Sequence, residues 1–137
     1  MNAVSPDDVE EARRWLDGAD EELTVAEVLM ADSRVPLRAA CFHAHLSAEK
    51  ALKAVVVFRS VPLPRLHSLV RLHRLLPVGD GRAFDVSDLA ALNPWTIEGR
   101  YPADLEEPGR SESEALVTSA RRIITAARSI LSSPSEC

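Results

Sequence analysis

Residues 37–59 read LRAACFHAHLSAEKALKAVVVFR, and this stretch decides the fold. Wound as a helix at about 100° per residue, it is apolar over most of its circumference. The run VVVF at residues 55–58 continues the helical pattern, and no other segment alternates with period two long enough for a strand. Helices that are apolar all round are central in a bundle or buried in a dimer interface. We therefore predict a central helix from about Pro36 to Ser60.

A second long helix precedes it. Ser5 and Pro6 provide an N-cap and a first helical residue. Large apolar residues recur every seven positions and alanines recur between them, which predicts a narrow seam for shallow-angle antiparallel packing: Val9, Leu16, Leu23 and Met30, with Ala12, Ala19 and Ala26. The helix should end near Asp32, before Pro36.

Shorter elements follow a proline-rich turn, VPLPR, at residues 61–65. Leucines predict a third helix at residues 66–76, residues 78–81 read as a loop, and Ser87 or Asp85 caps a fourth helix through residues 88–92. The capping-box pattern SESE at residues 111–114 opens a last helix. Together these elements predict an all-α, antiparallel up-and-down bundle of four to five helices. It would form one domain over residues 1–137, with a frayed tail from about residue 133.

The composition limits the functions that this chain can have. The chain has 137 residues and a net charge of −5, which argues against nonspecific binding to nucleic acids. Contact with RNA would need a local basic patch. The best such patch is RLHSLVRLHR at residues 65–74, where His73 lies between arginines, although a solvated helix face is the preferred interpretation of this segment. Cys41 reads as a small buried hydrophobe, which predicts a reducing, cytoplasmic location. No signal peptide or membrane span is recognisable.

A polar stripe runs along the central helix. Relative to Arg38, His45 and Glu49 each lie within about 20°, on an apolar face. By contrast, His43 lies at about 140° with Lys50 beside it, and we expect both to face solvent. Buried charges need partners, so Glu49 should lie within salt-bridge reach of Lys53 or Arg100.

This network has two interpretations. It is either a structural ion pair that fixes helix register, or a phosphate site for nucleotide or RNA that uses Arg100, Lys53 and Arg38. No metal or cofactor is predicted, because His43 and His45 are two residues apart and point to different sides of a helix.

Three segments in order resemble the HEPN family, the higher-eukaryote-and-prokaryote nucleotide-binding domain. They are CFHAHLSAEKALKAVVVFRSVPLP at residues 41–64, LHSL at 66–69 and LNPWTIEGRYP at 92–102, which contains an Arg-Tyr-Pro motif. The resemblance covers nearly the whole chain. It implies a helical bundle of four or five helices that is commonly dimeric and often encoded beside a minimal nucleotidyltransferase. Some members are metal-independent ribonucleases with a composite site across the dimer.

The chain departs from the toxin branch of that family. That branch carries an arginine, four residues, a histidine, one residue and a tyrosine. Arg38 and His43 have this spacing, but His45 occupies the tyrosine position. A ribonuclease would need a histidine with a pKa near neutrality and an arginine to stabilise phosphorane charge. Arg38 with His45 is the favoured catalytic pair, and His43 is the weaker alternative.

The leading hypothesis is a small HEPN protein that forms a homodimer, binds nucleotide or RNA at a polar cleft and acts with a minimal nucleotidyltransferase in a toxin–antitoxin-like system. A bundle of this size should hide only part of its central helix, which favours a two-fold dimer through that helix or its neighbours. A metal-independent endoribonuclease toxin and a purely structural interaction module are the alternatives. The predicted binding residues are Glu49, Lys53, His67, Arg100 and Tyr101, although His67 could be a cap and Tyr101 could merely pack.

Overall fold

The structure is a computed structural model that describes residues 5–96 and 107–132. These ranges contain helices and no strand, which confirms the all-α class. In chain order the elements are α1 (Pro6–Ala31), α2 (Leu37–Phe58), α3 (Leu69–Arg74), α4 (Val78–Gly81), α5 (Val86–Leu92), a 3-10 turn (Asn93–Trp95) and α6 (Arg110–Ser132). The long helices α1, α2 and α6 form the body of the bundle, and the short ones close one side of α2.

Helix α1 follows its sequence pattern. The Ser5 hydroxyl accepts a hydrogen bond from the Asp7 amide at 3.2 Å, and Pro6 is the first helical residue. The predicted alanine seam is fully buried, at Ala12, Ala19 and Ala26. Because alanine leaves little bulk between two helix axes, α1 lies close along α2, and the short connection at residues 32–36 makes the pair antiparallel.

Helix α2 is central, as predicted, and every residue from Ala51 to Phe58 is buried. It packs against α1, α3, α5, α6 and the 3-10 turn. A single chain therefore covers this C-terminal part of the helix completely, whereas its N-terminal half stays partly exposed, in agreement with the expectation that the bundle hides only part of the helix. The surrounding helices supply enough surface to bury the C-terminal part. Phe42 and Leu46, nearer the N-terminus of α2, stay partly exposed.

Several boundaries differ from those expected. Helix α3 begins only at Leu69, because the Ser68 hydroxyl accepts from the Arg71 amide and caps it. Residues Val78–Gly81 form one helical turn instead of a loop. The capping-box prediction is wrong because α6 already begins at Arg110, and buried Ser113 donates to the Gly109 carbonyl inside the helix at 2.9 Å. Helix α5 is capped by Asp85, one of the two predicted caps.

Cys41 is fully buried, as predicted, and burial raises the pKa of its thiol. Among the described residues, no helix is both long and apolar enough to cross a membrane. The predicted frayed tail lies outside those residues.

Candidate functional site

Three polar side chains surround one buried carboxylate, and we call the four residues the Glu49 cluster: Glu49, His45, Lys53 and His67. Lys53 Nζ donates to Glu49 Oε2 at 2.8 Å, which confirms the predicted pairing of these two residues. His67 Nδ1 lies 2.9 Å from the same oxygen. Because the carboxylate can only accept, Nδ1 is the protonated ring nitrogen of His67 in this contact. His45 Nδ1 lies 3.6 Å from Glu49 Oε1.

Helical spacing builds the inner part of the cluster. His45, Glu49 and Lys53 are four residues apart along α2, so they share one face of the helix. His67 reaches the same place from the connection between α2 and α3. Its position is fixed by the start of α3, where Ser68 is the cap and Asn93 Oδ1 accepts from the Leu69 amide at 2.8 Å.

Burial is uneven across the cluster. The side chains of Glu49 and Lys53 are 6% and 10% exposed, whereas that of His67 is 56% exposed. On the other side, Lys53 Nζ lies over the ring of Trp15 of α1, 5.4 Å from its centroid, in cation–π geometry. The cluster is therefore a buried ion pair that opens to solvent at His67.

His45 is the unusual member. It is fully buried, and neither of its ring nitrogens makes a hydrogen bond of good geometry among the described residues, although the backbone of His67 approaches the ring and acts to raise its pKa. Burial lowers the pKa of His45 to about 4, against the opposing effect of Glu49. The ring is therefore neutral at pH 7, and its 3.6 Å approach to Glu49 is neither an ion pair nor a hydrogen bond. Unsatisfied buried polar groups are rare and costly in native proteins.

The other predicted site residues lie elsewhere. Arg38 is at the start of α2, two helical turns before His45, and its guanidinium donates to Glu107 Oε1 at 2.7 Å. The favoured catalytic pair, Arg38 and His45, is therefore not brought together within this chain. Arg100 and Tyr101 lie outside the described residues, so the predicted Glu49–Arg100 contact stays a prediction.

His43 and Lys50 are only partly exposed, so the expectation that they face solvent is met only in part. Both bind Glu22 of α1, and we call these three residues the Glu22 cluster. His43 Nδ1 lies 2.7 Å from Glu22 Oε1, and Lys50 Nζ donates to Oε2 at 2.9 Å. Burial acts to raise the pKa of Glu22, but the hydrogen bonds from His43 and Lys50 hold it below its usual value. Helical angles group residues by face, but they do not reveal which polar face meets a neighbouring helix.

Packing also determines which side chains of the basic segment at residues 65–74 reach solvent. His73 turns inward, where its Nε2 lies 2.9 Å from the Gly81 carbonyl and its ring meets Phe84 edge to face. Only Arg71 and Arg74 of α3 stay exposed. The predicted RNA-facing patch therefore loses His73, whereas His67 stays exposed.

Sequence reasoning missed Trp15 and Glu22. The sequence does contain a signal for them, because Trp15 and Glu22 are seven residues apart and so lie near one face of α1. The apolar heptad on the neighbouring face dominates the hydrophobic pattern of this helix and hides that signal.

The profile of the HEPN domain family matches residues 12–130. The chain is similar to a solved structure, that of TT1696 from Thermus thermophilus, at 26% identity and a TM-score of 0.71, over 86% of this chain and 96% of that one. It is also similar in fold to ST0689, an archaeal HEPN homologue, at 20% identity and a TM-score of 0.66, over 96% of this chain and 99% of that one. No curated protein matches the sequence.

Proposed function

Because the chain belongs to the HEPN domain family, we propose that it binds nucleotide or RNA at the Glu49 cluster. One observation carries the proposal. A buried carboxylate holds a lysine and a solvent-facing histidine side by side, next to a histidine whose ring nitrogens are unsatisfied. A cluster that served only to fix helix register would gain by burying all its members and pairing them fully.

The cluster supplies phosphate-binding groups in an acidic chain. Glu49 uses one of the three donors of Lys53 and orients His67 through Nδ1, so Nε2 of His67 donates to a phosphate oxygen when the ring is an imidazolium. With that ring charged, two cations outweigh the one carboxylate, and the cluster attracts an anion even though the net charge of the chain is −5. We expect Arg100 and Tyr101 to add a further cation and an aromatic ring.

The assembly belongs to the same proposal. We propose a cytoplasmic homodimer that acts with a minimal nucleotidyltransferase, as the family resemblance implies. Phe42 and Leu46 offer apolar surface on α2 for the dimer. Light scattering should give twice the 15.0 kDa of one chain. A stable monomer at micromolar concentration would contradict the dimer, and separate elution from a nucleotidyltransferase encoded beside it would contradict that partnership.

Fluorescence polarisation with a labelled oligoadenylate tests the binding site. His67→Gln and Lys53→Gln should each weaken binding by roughly 10- to 150-fold, since a hydrogen bond to a charged group contributes about 1.5–3 kcal/mol. Arg128→Gln is the matched control, because it removes a cation paired with Asp20 on an exposed part of α6. Equal affinity of all variants would contradict the proposal. His67→Gln is the decisive variant, because an exposed side chain can change without unfolding the core.

The ribonuclease alternative receives less support from the geometry. His45 has no exposed surface and Arg38 lies two turns away. Metal-independent cleavage would appear as RNA hydrolysis in the presence of EDTA. Its loss in Arg38→Ala and His45→Ala, but not in His43→Ala, would make the chain an enzyme.

A further inference from the structure

A second feature adjoins the Glu49 cluster on the α1 side. An open cleft of about 360 Å³ is lined by Glu11, Arg14, Trp15 and Gly18 of α1 and by Lys50 of α2. Its volume is at the lower end of the roughly 300–1,000 Å³ range of small-molecule sites. The four α1 residues follow the spacing i, i+3, i+4 and i+7, so they form one continuous face of the helix.

Gly18 shapes the floor of this cleft. A glycine inside a helix costs roughly 0.5–1 kcal/mol relative to alanine, so its position in the middle of α1 calls for a reason. A Cβ atom at Gly18 would lie 3.3 Å from Cδ of Lys50. The missing side chain lets the stem of Lys50 lie against α1, where its ammonium binds Glu22. Lys50 is thereby held as the opposite wall of the cleft.

Trp15 connects the cleft to the Glu49 cluster. Its ring is only partly buried, in a chain whose residues are 4% aromatic. Lys53 Nζ, 5.4 Å from the ring centroid, is bound to Glu49 at 2.8 Å. Lys53 thus covers one face of the ring, and a ligand in the cleft, which Lys53 does not line, would contact the part of the ring that the ammonium leaves free.

We propose that the cleft binds a nucleobase stacked on Trp15, with the attached phosphate directed toward Lys53 and His67. The inference rests on the proposed function and names its ligand class: a nucleotide or a single-stranded RNA, recognised through the face of a base. Aromatic stacking tolerates any base, because every base has a π-face. Glu11 can accept from an exocyclic amino group, and Arg14 and Lys50 add positive charge at the rim.

Trp15 itself reports the binding event. The sequence contains two tryptophans, and buried Trp95 is replaced by Phe so that Trp15 is the single emitter. Adenosine monophosphate and a short oligoadenylate should quench this emission to saturation. Ribose 5-phosphate, which has the phosphate but no base, should leave it nearly unchanged. Quenching by ribose 5-phosphate equal to that by adenosine monophosphate would overturn base stacking.

Variants separate stacking from a packing role. Trp15→Leu should weaken oligoadenylate binding in polarisation by roughly 5- to 150-fold, the range for losing one base–aromatic stack. Trp15→Phe keeps an aromatic face and should retain most of the affinity at a similar Tm. Equal affinity of Trp15→Leu and wild type would overturn the inference, as would weak binding by both variants when their Tm values match that of wild type.

The two proposals fail in different ways. If His67→Gln weakens binding but Trp15 emission and Trp15→Leu affinity do not change, the base-stacking inference fails and the proposed function stands. If Trp15 responds and His67→Gln binds normally, the cleft is a site and the Glu49 cluster is not. If wild type shows neither quenching nor polarisation change, both are wrong.

Discussion

Two clusters in this molecule contain the same chemistry in different settings. In each, one glutamate binds a lysine ammonium and a histidine Nδ1, at distances of 2.7–2.9 Å. The Glu22 cluster joins two helices, since Glu22 lies on α1 and its partners lie on α2. In the Glu49 cluster, by contrast, Glu49 and Lys53 share one helix, and His67 comes from a connection.

The difference separates a structural contact from a candidate site. The Glu22 cluster helps fix how α1 lies on α2, and its partner side chains are 28% and 30% exposed. The Glu49 pair lies on one helix and contacts other elements through the Trp15 ring of α1 and through His67, and its lysine is only 10% exposed. Burying charge is costly, and the proposed ligand-binding role would add a reason for it beyond these contacts.

The largest expected effect comes from removing each carboxylate. Glu49→Ala leaves the ammonium of Lys53 buried and unpaired, and we expect it to lower the free energy of unfolding by about 3–5 kcal/mol. Glu22→Ala leaves partners that can reach water, and the loss should be about 1 kcal/mol. Urea denaturation measures both. Equal losses would remove the distinction between the two clusters.

The next largest effect is expected in the pH dependence of stability, which should differ between the two clusters. The pKa of His45 falls from 6.5 to about 4 on folding. The unfolded chain therefore binds more protons in that interval, and stability decreases as pH falls from about 6.5 to about 4. At about 1.4 kcal/mol per pKa unit, the full loss approaches about 3 kcal/mol.

His45→Leu tests that assignment. It should abolish most of this pH dependence, and it should not destabilise the protein at pH 7, because it removes buried ring nitrogens without hydrogen-bond partners. Glu49, Lys53 and His67 also face His45, so the variant is compared with wild type over the whole range. An unchanged pH profile, measured as the urea midpoint, would assign the acid sensitivity to another group.

The smallest effect concerns Glu22. Its pKa is lowered in the folded chain, so its contribution is present above the usual value of 4.5 and is lost as pH falls below it. Glu22→Gln should therefore differ from wild type mainly at neutral pH, and the difference should shrink as pH falls below 4.5. His45→Leu should act at higher pH. Thermal melts across this range would contradict the account if both variants altered the same pH window.

Local rules predicted most of the fold from sequence. The Ser5 cap, the alanine seam of α1 and the buried VVVF run of α2 depend on spacing alone, and the structure has them as predicted. The predicted start of α6 is wrong because the Ser113 hydroxyl donates to the Gly109 carbonyl from within the helix. Capping rules cannot distinguish a serine that bonds in this way from one that caps the start of a helix.

The candidate site was predictable only in part. Four-residue spacing along α2 was enough to pair Glu49 with Lys53. The contact between His67 and Glu49 depends on how the proline-rich connection returns to α2, and the contact of Trp15 with Lys53 depends on the rotation of α1. Both contacts depend on tertiary packing, and no local sequence pattern predicts them. The same is true of the partners of His43 and Lys50.

Histidine-selective NMR tests the central claim most directly, because the four histidines lie in three distinct places. His67 and His45 belong to the Glu49 cluster, His43 belongs to the Glu22 cluster, and His73 lies on α3, where its ring contacts Gly81 of α4. On titration with oligoadenylate, the account predicts the largest ring shift at His67 and none at His73. A shift at His73 or His43 with His67 unchanged would contradict it.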